Sequence, residues 1–285
     1  MGVVNVTPDS FSDGGHFLEP EKAIEHGLRL LEEGADILDI GGESTRPGAA
    51  IADDELDGRP DSSAVSAEEE CRRVLPVMEA IQRARPEAIL SIDTYKSRVA
   101  RAAVNAGAQI VNDVSAFQWD PQMADTCAEL QCGVVMMHTR GKPRQWRNLP
   151  PEPDITATVE HDLANRIQVA FERGVERVRI VLDPGFGFGK NFDDNYPLLA
   201  RLGQLQRLGF PLLAGASRKS FVGHAIAKRR HSDVPAAERL YGSLAATVIS
   251  ILNGAHIVRV HDVKPAVEAA AVGDEVLAAM RSAPI

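Results

Sequence analysis

The chain has 285 residues, a net charge of −9 and 44% hydrophobic residues, enough to build a large core. Its acidic balance argues against a nucleic-acid partner, whose phosphates require a basic face. We expect a cytoplasmic protein, because the chain has no apolar stretch of about 18 residues and no secretory signal. The spacing of Cys71, Cys127 and Cys132 fits neither a disulfide framework nor a zinc site, so we expect these cysteines to be reduced.

Short apolar segments alternate with helix-like stretches along the whole chain. The apolar segments lie at residues 1–4, 37–40, 89–92, 110–111, 134–137, 178–182, 211–216 and 256–258. They are apolar throughout, as expected for strands that are covered on both faces. The stretches between them carry apolar residues at three- and four-residue spacing, which predicts helices. Gly34 and Gly107 are expected to end the first and third helices, and the later helices are predicted at 155–174, 236–253 and 264–280.

We predict one domain over residues 1–285, folded as a single eight-stranded parallel (β/α)8 barrel. No break in composition marks a linker, and right-handed crossovers leave a closed barrel or an open doubly wound sheet. Polar residues follow nearly every apolar segment, whereas an open sheet binds its ligand at one switch point. This distribution favours the barrel.

Two loops are unlike the other connections. Residues 7–19 are rich in turn-forming residues, and residues 41–66 contain an acidic insert. Long loops in compact domains are usually functional or disordered. We predict that both loops are mobile and that the first part of the second loop takes part in function.

Two carboxylates and an amide follow three of the predicted strands. Asp93, Asn112 and Asp183 are expected at one rim, because the carboxyl ends of parallel strands lie on the same side. Together they can bind a flat heterocycle with adjacent N–H groups, such as an amino-oxo pyrimidine. The alternative is helix N-capping, which suits Asp93 in particular. Finding three such residues around one rim favours the ligand.

A set of cationic residues matches a diphosphate. Residues 217–220 lie where a strand gives way to a helix, a place suited to anions. Arg259 and His261 project to the same side of the last strand, and Arg46 joins them. Surface charges that balance an acidic chain are the alternative. The neutral Asn5 is a candidate ligand for Mg²⁺ held mainly by substrate phosphates.

Two further motifs have weaker functional meaning. The glycine-rich segment 183–190 has neither dinucleotide spacing nor the Ser or Thr that follows the lysine of a P-loop. His138 can be a base at the rim or a packed, hydrogen-bonded histidine, and both possibilities remain open.

The motifs together resemble the dihydropteroate synthase family. The matching stretches span nearly the whole chain in order: 5–15, 39–48, 92–94, 112–113, 182–191, 217–220 and 258–262. Two features depart from the family pattern. Met1 already lies in the first strand, where family members usually carry a short preceding segment, and the acidic insert after Gly48 lengthens its loop.

The resemblance implies an eight-fold barrel that joins 4-aminobenzoate to (7,8-dihydropterin-6-yl)methyl diphosphate, with Mg²⁺ as cofactor. It assigns pterin and diphosphate binding to Thr45, Arg46, Asp93, Asn112, Asp183, Lys219, Arg259, Val260 and His261. It assigns 4-aminobenzoate binding to Phe11, Pro47, Phe188 and Ser220, and metal binding to Asn5. Its implied catalytic residues are Asp13, Arg46, Lys219 and His261, with Asp13 stabilising a developing carbocation.

Two alternative functions remain at this point. A pterin-dependent methyltransferase would share the pterin-binding residues but should lack the loops at 7–15 and 44–48. A non-catalytic pterin-binding paralogue should have lost catalytic residues. We also expect inhibition by sulfonamides, because Phe11 and Pro47 stand as in the family without an insertion beside Phe11. A homodimer is an expectation from the family alone.

Overall fold

The computed structural model describes residues 1–7, 19–51, 55–56, 59–60 and 63–282. The strands are β1 (Gly2–Asn5), β2 (Ile37–Gly41), β3 (Glu55–Leu56), β4 (Arg59–Pro60), β5 (Ile89–Asp93), β6 (Ile110–Asp113), β7 (Gly133–Met137), β8 (Ile180–Asp183), β9 (Leu213–Ala214) and β10 (Ile257–Val258). The helices are α1 (Glu19–Glu32), α2 (Ala67–Ala84), α3 (Ser97–Asn105), α4 (Met123–Leu130), α5 (Ile155–Glu172), α6 (Phe192–Ala200), α7 (Ser220–Arg230), α8 (Leu240–Leu252) and α9 (Val263–Ser282).

The main sheet is parallel and follows the order of the chain. Strands β1, β2, β5, β6, β7 and β8 form six neighbours in that sequence, and β9 pairs with β10 in a separate parallel pair. Single parallel bridges join Leu182 to Leu212 and Gly2 to Val260. These bridges connect the short pair to both outer strands of the larger sheet. The parallel α/β organisation predicted from the sequence is confirmed.

The sheet has a hydrophobic cluster on each face. The larger cluster packs strand residues such as Ile40 and Ile92 against helix residues such as Met78 and Leu163, all wholly buried. A separate, smaller cluster unites Met1, Val135 and Leu213, with Ile37, Ile110, Val181 and Ile257 packed against it. Burial on both faces explains why the strands lack alternating polar residues.

Several predicted element ends agree with the structure and others differ. Gly34 (φ 99°) and Gly107 (φ 113°) lie just beyond α1 and α3 in the left-handed region that favours glycine. Helix α8 begins at Leu240 rather than at residue 236, because residues 236–238 form a separate 3₁₀ turn. Likewise β8 begins at Ile180, since a 3₁₀ turn precedes it.

Two other expectations can be compared with the described residues. The three cysteines are free, and two of them are buried. Among the described residues, no helix has the length and apolar character needed to cross a membrane.

Candidate functional site

A cavity of about 1270 Å³ opens at the carboxyl ends of the strands. The residues of the sequence prediction that line it are Asn5, Thr45, Arg46, Pro47, Asp93, Asn112, Asp183, Phe188, Lys219, Ser220, Arg259 and His261. The structure therefore brings these residues together although they come from all parts of the chain. Val260 is not among them, because its side chain is buried in the hydrophobic core. Phe11 and Asp13 lie outside the described residues.

A buried carboxylate that sequence reasoning missed lies directly behind the cavity floor, bonded to lining residues. Asp39, on β2, is wholly buried and accepts hydrogen bonds from Ser91 (2.6 Å) and Asn112 (2.9 Å). It also accepts a hydrogen bond of 2.6 Å from Nε of Arg259. The signal was a carboxylate within an otherwise apolar strand, since such a group is buried only with partners.

Arg259 connects two carboxylates across the cavity floor. Its Nη2 donates a hydrogen bond of 2.7 Å to Oδ2 of Asp93, in addition to its bond to Asp39. Burial alone would lower the pKa of Arg259, but Asp39 and Asp93 outweigh it and raise that pKa above its ordinary value. The guanidinium therefore stays charged and orients Asp93 before any ligand binds.

The two carboxylates predicted to bind a heterocycle have raised pKa values. Burial raises the pKa of Asp93, although Arg259 opposes this effect. Burial also raises the pKa of Asp183 to about 6, although Asp183 accepts a hydrogen bond of 2.7 Å from the N–H of Gly185. The capping alternative for Asp93 is wrong, because α3 begins at Ser97 and Lys96 occupies its N-cap position. The carboxylate is therefore available to a ligand.

A lysine and an aromatic ring form one wall of the cavity. The ammonium of Lys219 lies 4.0 Å from the centre of the Phe188 ring, which packs edge-on against Trp146 at 5.2 Å. Burial lowers the pKa of Lys219 to about 8, while Asp183 and Asp93 favour the charged form. A cation beside an aromatic face suits an aromatic carboxylate as a ligand.

The outer part of the cavity is built by residues 217–220 and the end of β10. Helix α7 begins at Ser220, as the anion-site prediction required. Nδ1 of His261 lies 3.1 Å from Oγ of Ser217, and burial lowers the pKa of His261 to about 3. The imidazole is therefore neutral at pH 7, which differs from the cationic role expected from the sequence.

Arg218 has a structural partner rather than a free guanidinium. Its Nε donates a hydrogen bond of 2.9 Å to Asp262, and its backbone lies in the left-handed region at φ 58°. The N–H of Arg218 donates to Oγ of Ser243 (2.9 Å), and its carbonyl accepts from Arg239 (2.9 Å). These bonds hold the strained turn that presents Ser217 and Lys219 to the cavity.

The glycine-rich segment is a turn held by a buried lysine. The ammonium of Lys190 donates to the carbonyl oxygens of Gly185 (2.8 Å), His138 (3.3 Å) and Phe188 (3.3 Å). A Cβ on Gly185 would come within 1.9 Å of the carbonyl oxygen of His138, so no other residue fits there. Burial lowers the pKa of Lys190 to about 7. The lysine therefore positions Phe188, a role that the spacing analysis did not identify.

His138 does not line the cavity. Its Nε2 lies 3.1 Å from Oδ2 of Asp162, and its side chain is buried. Burial lowers the pKa of His138 to about 4. These contacts favour the packed, hydrogen-bonded histidine over a base at the rim.

The apolar walls include residues that the sequence analysis did not select. They are Val114, Met137 and Phe186. Each follows or ends a buried segment, so nothing in its sequence context distinguishes it from a residue of the core.

Asn5 is the candidate metal ligand on the cavity wall. The described residues contain no group of three or more His, Cys, Asp or Glu side chains that could hold a metal ion. A neutral amide oxygen at the end of β1 fits Mg²⁺ only if phosphate oxygens supply most of the other ligands.

Comparisons with known proteins place the chain among pterin-binding enzymes. The chain matches the family described as "Pterin binding enzyme" at residues 1–57 and 55–261. It is 43% identical over 279 residues to the dihydropteroate synthase of Escherichia coli K12, covering 98% of this chain and 92% of that protein. A Xanthomonas albilineans dihydropteroate synthase with 4-aminobenzoic acid has a TM-score of 0.85 and 45% identity, covering 100% of this chain and 93% of that one. A Yersinia pestis dihydropteroate synthase in complex with a sulfonamide drug has a TM-score of 0.85 and 40% identity, covering 98% of this chain and 93% of that one.

Proposed function

The chain belongs to the dihydropteroate synthase family, and we propose that its cavity binds the substrates of that reaction as follows. The enzyme is a transferase that condenses 4-aminobenzoate with (7,8-dihydropterin-6-yl)methyl diphosphate to give 7,8-dihydropteroate and diphosphate in folate synthesis. The observation that carries the proposal is the pairing of a buried carboxylate–amide floor with a lysine–aromatic wall in one cavity.

The pterin ring binds at the floor of the cavity. Asp93, Asn112 and Asp183 accept or donate hydrogen bonds along the edge of an amino-oxo pyrimidine. Burial raises the pKa of Asp183 to about 6, and in its ionised form this carboxylate accepts hydrogen bonds from the N–H groups of the ring. Arg259 lies at the same floor and is already oriented by Asp39 and Asp93. Its planar guanidinium suits stacking against a flat ring.

The 4-aminobenzoate ring binds between Pro47 and Phe188. Lys219 lies beside this wall, and its ammonium attracts the carboxylate of the substrate. The amino end of α7, at Ser220, also favours a carboxylate, because the helix dipole is positive there. Phe11, assigned to the same ring by the resemblance, lies outside the described residues and stays a prediction.

The diphosphate leaves toward the outer part of the cavity. Thr45, Arg46 and His261 line that side, and Arg46 is exposed enough to reach a polyanion. Asn5 would hold Mg²⁺ together with the diphosphate oxygens. When bound there, the ion would neutralise negative charge on the leaving group.

The chemical step breaks one bond and forms another at the methylene carbon. The C–O bond to the diphosphate breaks, and its electron pair leaves with the diphosphate. The lone pair of the arylamine nitrogen then forms the C–N bond, and its proton passes to solvent or to the departing diphosphate. An arylamine is uncharged at pH 7 and needs no strong base, so the cations of the site act by electrostatic stabilisation. Asp13, the predicted partner of a carbocation, lies outside the described residues.

We infer that the strands close into a single eight-stranded parallel (β/α)8 barrel. Support comes from the bridges of Leu182 with Leu212 and Gly2 with Val260, which join the β9–β10 pair to both outer strands. Further support comes from the smaller hydrophobic cluster, because side chains from both ends of the sheet meet in it. A closed barrel explains why polar residues from β1 to β10 face one cavity.

The decisive experiment is a steady-state assay of diphosphate release from the pterin substrate. We expect release that depends on both 4-aminobenzoate and Mg²⁺, with 7,8-dihydropteroate identified by mass spectrometry. Omission of 4-aminobenzoate is the matched control. Pterin binding by folded protein without diphosphate release would instead indicate a methyltransferase or a non-catalytic binding protein.

Sulfonamide inhibition is a second part of the proposal. These drugs have the aromatic amine of 4-aminobenzoate and would occupy the same space beside Pro47, Phe188 and Lys219. The complex of the Yersinia pestis relative with a sulfonamide drug supports this expectation. Turnover that is unaffected by a sulfonamide well above the 4-aminobenzoate concentration would contradict it. The homodimer and the cytoplasmic location stay predictions.

A further inference from the structure

A buried lysine outside the cavity contacts the segment that carries Thr45 and Arg46. Lys96 is 5% exposed and directly precedes α3. Its ammonium donates hydrogen bonds to Oε2 of Glu43 (2.6 Å) and to Oε2 of Glu70 (2.5 Å). Glu43 follows β2 and lines the cavity, whereas Glu70 is 1% exposed on α2. The lysine thus links the cavity wall to a fixed helix.

The residues on both sides of this segment are fixed independently of Lys96. Before it, Arg73 on α2 donates a hydrogen bond of 2.8 Å to the carbonyl oxygen of Gly42. A Cβ on Gly42 would lie 2.9 Å from Val74, so the backbone packs directly against α2. After it, the N–H of Gly48 donates to the carbonyl oxygen of Pro143 at 3.0 Å. The backbone ends of the segment are therefore held without the lysine.

The far end of the segment is buried in a small hydrophobic cluster. Ile51 is 1% exposed and packs with Tyr95, the residue before Lys96. Two consecutive residues of the β5–α3 connection therefore contact the start and the end of residues 43–51. Residues 44–47, all of which line the cavity, lie between these contacts.

The charges in this cluster are not balanced. One ammonium faces two buried carboxylates, and burial raises the pKa of Glu70 even though Lys96 opposes this. Oε1 of Glu43 is buried and has no hydrogen-bond partner among the described residues. Lys96 is therefore the group that keeps the two carboxylates together. Without it both carboxyl groups would lose their shared hydrogen-bond donor, and Glu43 would turn toward the open cavity that it already lines.

We propose that Lys96 is a positioning residue for the condensation: by holding Glu43 against Glu70, it fixes Thr45 and Arg46 at the diphosphate side of the cavity. Lys96 does not touch the substrates. This inference rests on the proposed function, because Thr45 and Arg46 act on the diphosphate of the pterin substrate.

The test separates the diphosphate from the pterin ring. In Lys96→Met, we expect KM for the pterin diphosphate to rise about tenfold, because a misplaced binding group costs roughly that much or more. Binding of the 6-hydroxymethyl dihydropterin, which lacks the diphosphate, should stay unchanged because Asp93, Asn112 and Asp183 are not disturbed. If Lys96 only supported the fold, its loss would reduce the affinity for both ligands equally.

Three companion variants refine the result. Glu70→Gln keeps an oxygen that can accept from Lys96, so the link to α2 is kept and KM for the pterin diphosphate should rise much less than in Lys96→Met. Lys96→Arg keeps the charge and should restore part of the lost affinity. The double variant Lys96→Met with Glu43→Met should be no worse than the more affected single variant, because each change removes one partner of the Lys96–Glu43 hydrogen bond.

The outcomes are distinct. If the wild type releases no diphosphate, the proposed function fails and not this inference alone. The inference is overturned if the wild type is active and Lys96→Met folds but keeps the wild-type KM for the pterin diphosphate. It is also overturned if the variant binds the pterin diphosphate and the 6-hydroxymethyl dihydropterin equally more weakly. If Lys96→Met does not fold, Glu43→Met decides by the same comparison of the two ligands, because it removes the acceptor at residue 43 and keeps the Lys96–Glu70 pair.

Discussion

The floor of the cavity and its outer part differ in how their charges are held. At the floor, Asp39 and Asp93 are bonded to Arg259 before a ligand binds, and Asp39 is wholly buried. In the outer part, Arg46 is exposed and His261 is neutral, with its pKa lowered to about 3. The floor is preorganised by the protein itself, whereas the outer part must gain much of its order from the diphosphate.

Replacing Arg259 should cause the largest loss of stability and activity, because its positive charge balances the carboxylates of both Asp39 and Asp93. In Arg259→Met we expect a loss of about 3–5 kcal/mol in the free energy of unfolding, since a buried pair is broken from one side. Turnover should fall below detection. Urea unfolding and the diphosphate assay measure the two effects.

This variant also has a defined pH dependence. Without Arg259, the pKa of Asp93, already raised by burial, should rise further in the folded state. When the pKa of an acid is higher in the folded than in the unfolded state, the folded protein binds more protons, and its free energy of unfolding falls as pH rises. Arg259→Met should therefore be more stable at pH 5 than at pH 8. Equal stability at both pH values would contradict the compensating role.

The second effect concerns recognition at the floor. Asp183→Asn should lower kcat/KM for the pterin diphosphate about 100-fold, close to the value of one charged hydrogen bond, ~3 kcal/mol. The protein should still fold, because Asn can accept the hydrogen bond from Gly185. Asp162→Asn, a change beside His138 and outside the cavity lining, is the matched control. Equal losses in the two variants would place the effect in the fold rather than in the site.

Substitution of Arg46 in the outer part of the cavity should change KM less, and the change should depend on salt concentration. Arg46→Met should raise KM for the pterin diphosphate about tenfold at low ionic strength and less at about 1 M salt, where exposed charges are screened. Affinity for the pterin without diphosphate should not change. A loss that is independent of salt would mean that Arg46 acts as a buried, preorganised group like Arg259.

The smallest effect on turnover should come from His138. His138→Gln should keep kcat/KM within about twofold of the wild type, as is common for changes away from a site. The pKa of His138 is lowered to about 4, so its contribution to stability is present above about pH 6.5 and is lost as pH falls toward 4. The variant should therefore lose less stability than the wild type over this range. A tenfold loss of kcat/KM would instead support the hypothesis that His138 acts as a base.

Most residues that line the cavity could be predicted from the sequence, for a geometric reason. Residues at the ends of buried apolar segments are brought to one edge whenever the strands are parallel, so Asp93, Asn112 and Asp183 could be grouped without coordinates. The resemblance also assigned Val260 to the site, but its side chain lies in the core, because its neighbours Arg259 and His261 face the cavity and Val260 alternates away from it. The helical spacing of apolar residues misplaced the start of α8, where a local 3₁₀ turn precedes the helix.

Local sequence thus determined the strand segments, the glycine ends of α1 and α3 and the polar residues that follow the strands, because these depend on neighbouring residues alone. The roles of Asp39, Lys96 and Lys190 depended on packing. Asp39 and Arg259 are 220 positions apart in the chain, and Lys190 contacts a carbonyl oxygen 52 positions away. The lowered pKa of His261 and the raised pKa of Asp183 arise from burial and from charges on other elements. Such effects exist only once the strands and loops have been brought together.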